Sequence, residues 1–524
     1  MSRLEIASPK RAKIVMEGLY KDLERRIESS PPGLCPVDMA RAFLELCHAQ
    51  TCGKCVPCRI GLGQLNNFIR EVLDGKATMK TLDIMEQTAL SIMESADCAI
   101  GYEAANMVYK GLIGYRDDYI EHIQNGRCTC TYNQPVPCVS LCPAHVDIPG
   151  YIALVGEGRY ADAIRLLRKD NPFPTTCGFI CEHPCEARCR RNMVDDSINI
   201  RGLKRVAADF AGEVDPPQCA PSTGKKIAIL GGGPGGLSAA YYLQLMGHQT
   251  TVYEMLPELG GMLRYGIPNY RLPKERLDDD IRAILKTGVQ VKNGLKIGQD
   301  ITIQELRQQY DVVLITIGAS TDKKLGLENE DADGIISAVQ FLRNVGKNQI
   351  IDLTGKEVAV IGGGNVSMDA VRTAKRLGAK KVSIVYRRRV ADMTALPGEI
   401  EGAVAEGIEL QTLKAPASID VDENHHVKGI YVTPQMVSSI RDGRASIKST
   451  GEEDIYIPCD VLIVAIGQNI ETHHFEQAGI PVERGKIITK STGAFENLPG
   501  VFAGGDCASG PASVILSLIH ISEP

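Results

Sequence analysis

The stretch KKIAILGGGPGGLSAAYYLQLMGHQTTVYE, Lys225 to Glu254, reads as a strand, a glycine turn, a helix and a second strand. The apolar run Ile227 to Leu230 leads straight into Gly231, Gly233 and Gly236, spaced G-x-G-x-x-G. Glycines at that spacing let the backbone turn sharply and approach a pyrophosphate at a helix N-terminus. Unpaired N–H groups and the helix dipole favour negative charge there. Glu254 ends the second strand, where a carboxylate accepts the ribose hydroxyls of an adenosine. A plain turn with a surface glutamate is the alternative, and the register of strand, turn, helix and acid weighs against it.

The pattern returns in KEVAVIGGGNVSMDAVRTAKRLGAKKVSIVYRR, from Lys356, where Gly362 and Gly364 begin the turn and Ser367 stands in place of the third glycine. Its second strand ends in Tyr386, Arg387, Arg388 and Arg389 rather than in an acid. Arginine forks bind a 2′-phosphate that a carboxylate would repel, so NADP(H) is expected, with NAD(H) as the alternative cofactor. A solvated basic strand end is the other reading of those arginines. Short apolar strands alternating with glycine turns and helices predict an α/β fold with two Rossmann-like dinucleotide-binding domains. The second is expected to be inserted in the first, with DVLIVAIGQN and GVFAGGDCASGPASVI, after residue 459, as the first domain's return.

Upstream the texture differs. KRAKIVMEGLYKDLERRI, VDMARAFLELC, GLGQLNNFIREVLDG and MKTLDIMEQTALSIMES carry apolar residues at three- and four-residue intervals, which predicts helices. A second helical, cysteine-rich segment runs from Arg127 to Asp209, and the linker GEVDPPQCAPSTGKK, Gly212 to Lys226, ends it. The chain of 524 residues is too long for one core. The expected division is 1–118, helical; 119–215, helical and cysteine-rich; 216–345, the first dinucleotide domain's first part; 346–456, the NAD(P) domain; and 457–524, the first dinucleotide domain's second part.

A net charge of −6 with mixed signs offers no basic footprint for nucleic acid. No apolar run is long enough to span a bilayer and the first thirty or so residues lack a signal peptide's apolar core, so no membrane insertion and a cytoplasmic location are expected. In that compartment the 17 cysteines would stay reduced, and clustered thiols point to metal rather than disulfides. Fourteen of them precede residue 190, so the metal chemistry is expected before the nucleotide domains. TCGKCVPCRIGLGQL, Thr51 to Leu65, sets Cys52, Cys55 and Cys58 at strict three-residue spacing. Zinc is the alternative for any four cysteines.

GGMLRYGIPNYRLPKE from Gly260, GGGNVSMDAVRTAKRLGA from Gly362, AIGQ at Ala465 and GVFAGGDCASGPASVI from Gly500 resemble the NADPH-dependent glutamate synthase small-subunit family. That family shares its architecture with the N-terminal half of dihydropyrimidine dehydrogenase and with the large subunit of a bifurcating ferredoxin-NADP transhydrogenase. The resemblance covers about Cys128 to Ile515 and implies FAD at the first unit, touched by Pro234, Gly235, Glu254, Gly261, Met262, Arg271, Gly505 and Asp506. It implies NADPH at the second, touched by Gly363, Gly364, Asn365, Arg387 and Arg388. It also implies two 4Fe-4S clusters, one on Cys128, Cys130, Cys138 and Cys189, the other on Cys142, Cys181 and Cys185. The spacing CTCTYNQPVPC departs from the family's. Lys204 stands where relatives carry the second cluster's last ligand, Glu or Gln; Cys177 or an unusual fourth ligand are the alternatives. Cys52, Cys55 and Cys58, with Cys98 forty residues on, are similar to the cluster domain of complex I's flavin-bearing NADH subunit, which makes three clusters in all. Cys35, Cys47, Cys219, Cys459 and Cys507 are expected to be packed or incidental.

The implied function is an NAD(P)H-linked iron–sulfur flavoprotein subunit. It would pass hydride between NAD(P)H and FAD and relay single electrons to partner subunits or ferredoxin-like carriers of a hetero-oligomeric redox complex, bifurcating or not. No acid–base residue is required, and none is assigned as catalytic. The alternatives are a glutamate synthase small subunit and a non-catalytic relay scaffold. The chain's LSLIHISEP, where the family has an alanine-rich helix, is expected to reflect a truncated or misassembled reading frame.

Overall fold

A computed structural model describes residues 15–21, 35–126, 136–187, 189–441, 444–490 and 492–510. The chain divides into two compact units, one of Met1–Pro149 with His183–Ile200, the other of Gly150–Glu182 with Arg201–Pro524.

The first unit is helical. Its helix Pro36–Ala49 starts with proline at the first position, where no N–H is missed, and the Cys35 thiol accepts a hydrogen bond from Asp38 N. Ala40, Phe43, Leu44 and Cys47, at helical spacing, are all fully buried. Met79–Ser95 opens with a reciprocal cap between Thr78 and Thr81 and buries Leu82, Met85, Ala89 and Ile92. Leu62–Leu73, Ala99–Gly114 and Arg116–Asn125 also belong to the bundle, and Gly126 in the left-handed conformation ends the last of these. Each fully buried Leu, Ile or Met contributes about 1.5–3 kcal/mol, so this unit's core is built from those stripes.

The second unit carries ten strands in two parallel sheets. They are β1 (Lys226–Leu230), β2 (Gln249–Glu254), β3 (Gln290–Asn293), β4 (Val312–Ile315), β5 (Ile335–Ser337), β6 (Glu357–Ile361), β7 (Lys381–Tyr386), β8 (Glu409–Thr412), β9 (Val461–Val464) and β10 (Val501–Ala503). The first sheet has the order β10-β4-β1-β2-β3 and the second β5-β9-β6-β7-β8. All their pairings are parallel. The central strand of each, β1 or β6, ends in a glycine turn. This is where strand order reverses and a crevice opens beyond the strand ends.

Alternation within β6 shows how the second sheet is covered. Val358 and Val360 pack with Met368, Val371 and Ala374 of the helix Asn365–Arg376, whereas Ala359 and Ile361 pack with Ile430 and Val432. Those last two belong to a four-stranded antiparallel sheet of Lys414–Val421, Val427–Arg441, Arg444–Ser449 and Ile455–Pro458, unread in the sequence. One part of the expected organisation needs correcting. DVLIVAIGQN does not return to the first sheet; its strand β9 lies between β5 and β6 of the second, and only GVFAGG, through β10, goes back to β4. A short apolar run suits the middle of either sheet, and the pairing partners decide. Among the described residues no helix is long and apolar enough to cross a membrane.

Candidate functional site

At the end of β1, Gly231 has φ +114, and a Cβ there would lie 2.4 Å from the Thr316 carbonyl oxygen. The turn therefore presses against the strand end beside it, a position that excludes side chains. Gly233 leads into the helix Pro234–Leu245. The Glu254 carboxylate closes the turn from β2, accepting from Gly232 N and Leu256 N at 2.8 Å each. Burial pushes this carboxyl above its ordinary range, while the two backbone donors pull it back. Gly260 N donates to Gly232 O at 2.8 Å, which brings the Gly260–Met262 segment onto the same turn. The resulting cleft is lined by Gly231, Gly233, Pro234, Gly235, Glu254, Gly261, Met262, Gly505 and Asp506 among the expected residues. It is also lined by Tyr265, Thr316, Ser320 and Arg343, which no motif marks. Gly236 lies behind the turn.

Arg271 is placed elsewhere. Its guanidinium is held by Asp369 at 2.8 Å and Glu399 at 3.1 Å, and it does not line this cleft. The motif placed it near the glycine segment, but a nearly buried cation goes to the carboxylates that can neutralise it.

The second cleft, of about 610 Å³, opens at the end of β6. Gly362 has φ +146 and would carry a Cβ only 2.3 Å from Ala465 O, the counterpart of the first turn. Gly362, Gly363, Gly364, Asn365, Arg387 and Arg388 all line it, together with Leu325, Leu327, Ala415, Pro416 and Gln468. Asn365 is oriented from both sides: its Oδ1 accepts from Leu396 N at 3.0 Å and its Nδ2 donates to Glu182 Oε1 at 3.1 Å. The third arginine of the run turns away, for Arg389 is paired with Asp392 at 2.8 Å. The helix Ala338–Gly346 serves both clefts, with Ala338 and Val339 in the second and Arg343 in the first.

In the helical unit Cys55 and Cys58 are buried, Cys98 half-buried and Cys52 exposed. Burial pushes the Cys58 thiol up to about 12, helped by a hydrogen bond to Cys55 and by the charges of Cys55, Cys98 and Cys52, so the four share one neighbourhood. Space for it depends on Gly101, where a Cβ would lie 2.6 Å from Cys58 Sγ. Among the described residues, no three Cys, His, Asp or Glu side chains converge tightly enough to hold a single metal ion. Four thiols in one neighbourhood are the donor set of a larger iron–sulfur cube. In the same unit, burial raises Cys138, and the charges of Cys189 and Cys142 act on it in the same direction. Cys185 is buried there too. Cys128 and Cys130 lie outside the described residues.

Cys181 belongs to the second unit, where Arg201 donates to its carbonyl at 3.0 Å. Cys177 is fully buried, its thiol pushed up to about 12 by burial and then by Cys181, with Lys204 acting in the opposite direction. Lys204 is itself buried, its ammonium 6.0 Å from the Tyr151 ring centre. Cys181 and Lys204 thus both lie in the neighbourhood of Cys177. Cys47, Cys459 and Cys507 are buried in packing, and Cys507 Sγ donates to Gly504 O at 3.2 Å. Cys35 contacts His122 Nε2 at 3.3 Å, and Cys219 is exposed.

Three family matches cover the chain. Residues 225–520 match the pyridine nucleotide-disulphide oxidoreductases. Residues 38–122 match the iron–sulfur binding region of NADH-ubiquinone oxidoreductase-F, and 114–215 match dihydropyrimidine dehydrogenase domain II, 4Fe-4S cluster. Among characterised relatives, the NADP(+)-dependent formate dehydrogenase subunit beta of Moorella thermoacetica is 32% identical, over 91% of this chain and 77% of that protein. The NADPH-Fe(3+) oxidoreductase subunit beta of Geobacter sulfurreducens is 34% identical, over 92% and 76%. The glutamate synthase [NADPH] small chain of Escherichia coli is 33% identical, over 73% of this chain and 85% of that one. With its two glycine-turn clefts and its cysteine-bearing helical segments, the chain belongs to the pyridine nucleotide-disulphide oxidoreductase family, as an iron–sulfur flavoprotein oxidoreductase that uses a pyridine nucleotide.

Proposed function

We propose that this chain is the pyridine-nucleotide subunit of a larger redox complex, with FAD in the first cleft, NADPH in the second and three 4Fe-4S clusters on its cysteines. The observation that carries this reading is the helix Ala338–Gly346, which lines both clefts and so ties a donor site to an acceptor site. Bound flavin supplies the exchange between paired and single electrons, and iron–sulfur centres supply one-electron carriage.

The chain's own residues bind and orient. The turns at Gly231 and Gly362, each leading into a helix N-terminus, receive pyrophosphates. Glu254 holds spare lone pairs for ribose hydroxyls beyond the two it commits to backbone N–H groups. Arg387 and Arg388 hold the 2′-phosphate that distinguishes NADPH from NADH. Cys52, Cys55, Cys58 and Cys98 hold one cluster, while Cys128, Cys130, Cys138, Cys189 and Cys142, Cys181, Cys185 divide between the other two. Electrons leave to partner subunits, and the setting is cytoplasmic. Relatives matched over more than nine-tenths of the chain include beta subunits of a formate dehydrogenase and of an NADPH-Fe(3+) oxidoreductase. Glutamate synthase small chain matches 73%, which favours the former assemblies over that one.

Anaerobic purification followed by rapid mixing tests this. Iron, acid-labile sulfide and FAD should co-purify, and NADPH should bleach the flavin faster than NADH. A protein without iron and sulfide, or bleached by neither nucleotide, overturns the proposal. Preference for NADH overturns the assignment of Arg387 and Arg388 alone.

A further inference from the structure

Arg343 lies on the helix Ala338–Gly346 and lines the first cleft. Among the residues lining that cleft it is the one Lys or Arg, set against the carboxylates Glu254 and Asp506. Its Nη2 donates to the Ser320 carbonyl at 2.6 Å, while its Nε is buried with no hydrogen-bond partner among the described residues. A buried N–H of a charged group left unpaired is costly unless a ligand brings the acceptor. The helix is firmly seated. At Gly346 a Cβ would stand 3.2 Å from Arg264 O and from Tyr265 Cα, so its end packs directly on the Met262–Tyr265 turn, which also lines the cleft.

The position along the cleft decides what Arg343 faces. The glycine turn at Gly231 to Gly236 takes the pyrophosphate, and Glu254 marks the adenosine end. Donor and acceptor rings must meet at contact distance for transfer. The reacting end of the flavin therefore belongs where one helix reaches both clefts, and Arg343 is the cation on that helix. Two electrons and one proton, delivered together from the nicotinamide, leave the isoalloxazine with one net negative charge. A guanidinium held beside it by the Ser320 carbonyl stabilises that charge.

We propose that Arg343 faces the redox-active ring of the flavin and raises its reduction potential by opposing the charge gained on reduction. This rests on FAD occupying the first cleft, as proposed above. The test is a spectroelectrochemical titration of the flavin in the full-length protein, comparing wild type with Arg343→Gln and Arg343→Lys. Gln removes the charge and leaves an amide N–H about where the Arg343 Nε lies, giving up the Nη2 bond to the Ser320 carbonyl. Its flavin should become about tenfold harder to reduce, about 30 mV for a two-electron couple. Lys should stay close to wild type. Should the Gln variant not fold, Arg343→Met gives the same neutral comparison. A neutral variant with full FAD content and an unchanged potential overturns the proposal. So does loss of FAD while the remaining flavin keeps its potential, which would assign the guanidinium to binding alone. Wild-type protein purifying with iron but no flavin would instead overturn the proposed function on which this rests.

Discussion

Gly236→Ala should expel the flavin while leaving the rest of the protein intact. A Cβ at Gly236 would lie 1.9 Å from the Gly231 carbonyl oxygen and 2.7 Å from Thr316 Oγ1. Carbon and oxygen approach to about 3.3 Å in their closest ordinary contacts, so the turn and the helix Pro234–Leu245 would have to part by roughly 1.4 Å. Thr316 cannot simply swing away, because its hydroxyl donates to Leu230 O at 3.1 Å and to Gly231 O at 3.3 Å. Overpacking of this kind costs about 1–3 kcal/mol, and a displacement above an ångström belongs at the upper end. About 3 kcal/mol is on the order of a hundredfold in affinity, all of it charged to the turn that receives the pyrophosphate. FAD per chain after purification, followed by titration of the stripped protein with FAD, measures the loss. Iron content should stay at the wild-type level, which separates a local opening from unfolding. The second turn supplies the control, since Ser367 already occupies the equivalent position there and is buried. Ser367→Ala should leave NADPH affinity within a few-fold of wild type. A Gly236→Ala protein that keeps a full complement of FAD at wild-type affinity would refute the geometry assigned to the first turn.

Two further outcomes follow from the ion pairs and the arginines. Burial pushes the Asp369 carboxyl from its ordinary 3.8 up to about 6, against the pull of Arg271 and Arg372 and with the push of Glu399. A raised carboxyl contributes stability that is complete below the unfolded value and lost as pH climbs through the folded one. Arg271→Leu removes the main counter-charge and leaves a buried carboxylate unpaired, at a cost of about 3–5 kcal/mol when ionised. Its melting temperature should therefore fall further below wild type at pH 8 than at pH 5, and an equal drop at both would contradict this. Arg387→Ala and Arg388→Ala should each weaken NADPH by roughly ten- to a hundredfold, the worth of a charge-assisted hydrogen bond, with NADH little affected. Steady-state KM values for the two nucleotides report it, and a parallel loss for both would mean the arginines do not read the 2′-phosphate.

Much of this was legible because it is local. Strand, turn and helix at Lys225–Glu254 and Lys356–Arg388 show themselves through apolar runs and glycine spacing, and the structure opens a cleft at each. The helices before them announce themselves by their apolar period, and Cys52, Cys55 and Cys58 by spacing, while Cys98 joins them only through the family resemblance. The rest depended on which distant segments pack together. Whether β9 joins the first or the second sheet is undetermined by four apolar residues that suit both, and it was settled by β5 and β6. Arg271 finds Asp369 98 residues along the chain, a partner no motif announces. Arg343 carries no signature at all; a helix that bridges two clefts brings it to the first. The amino-acid order alone therefore determined the two nucleotide folds, their cysteine-rich helical preface and the chemistry they handle, because periodicity, turn geometry and ligand spacing act over a few residues. Tertiary packing alone decided the charges around the clefts, because a buried cation is placed by whichever carboxylate or carbonyl the folded chain brings within reach.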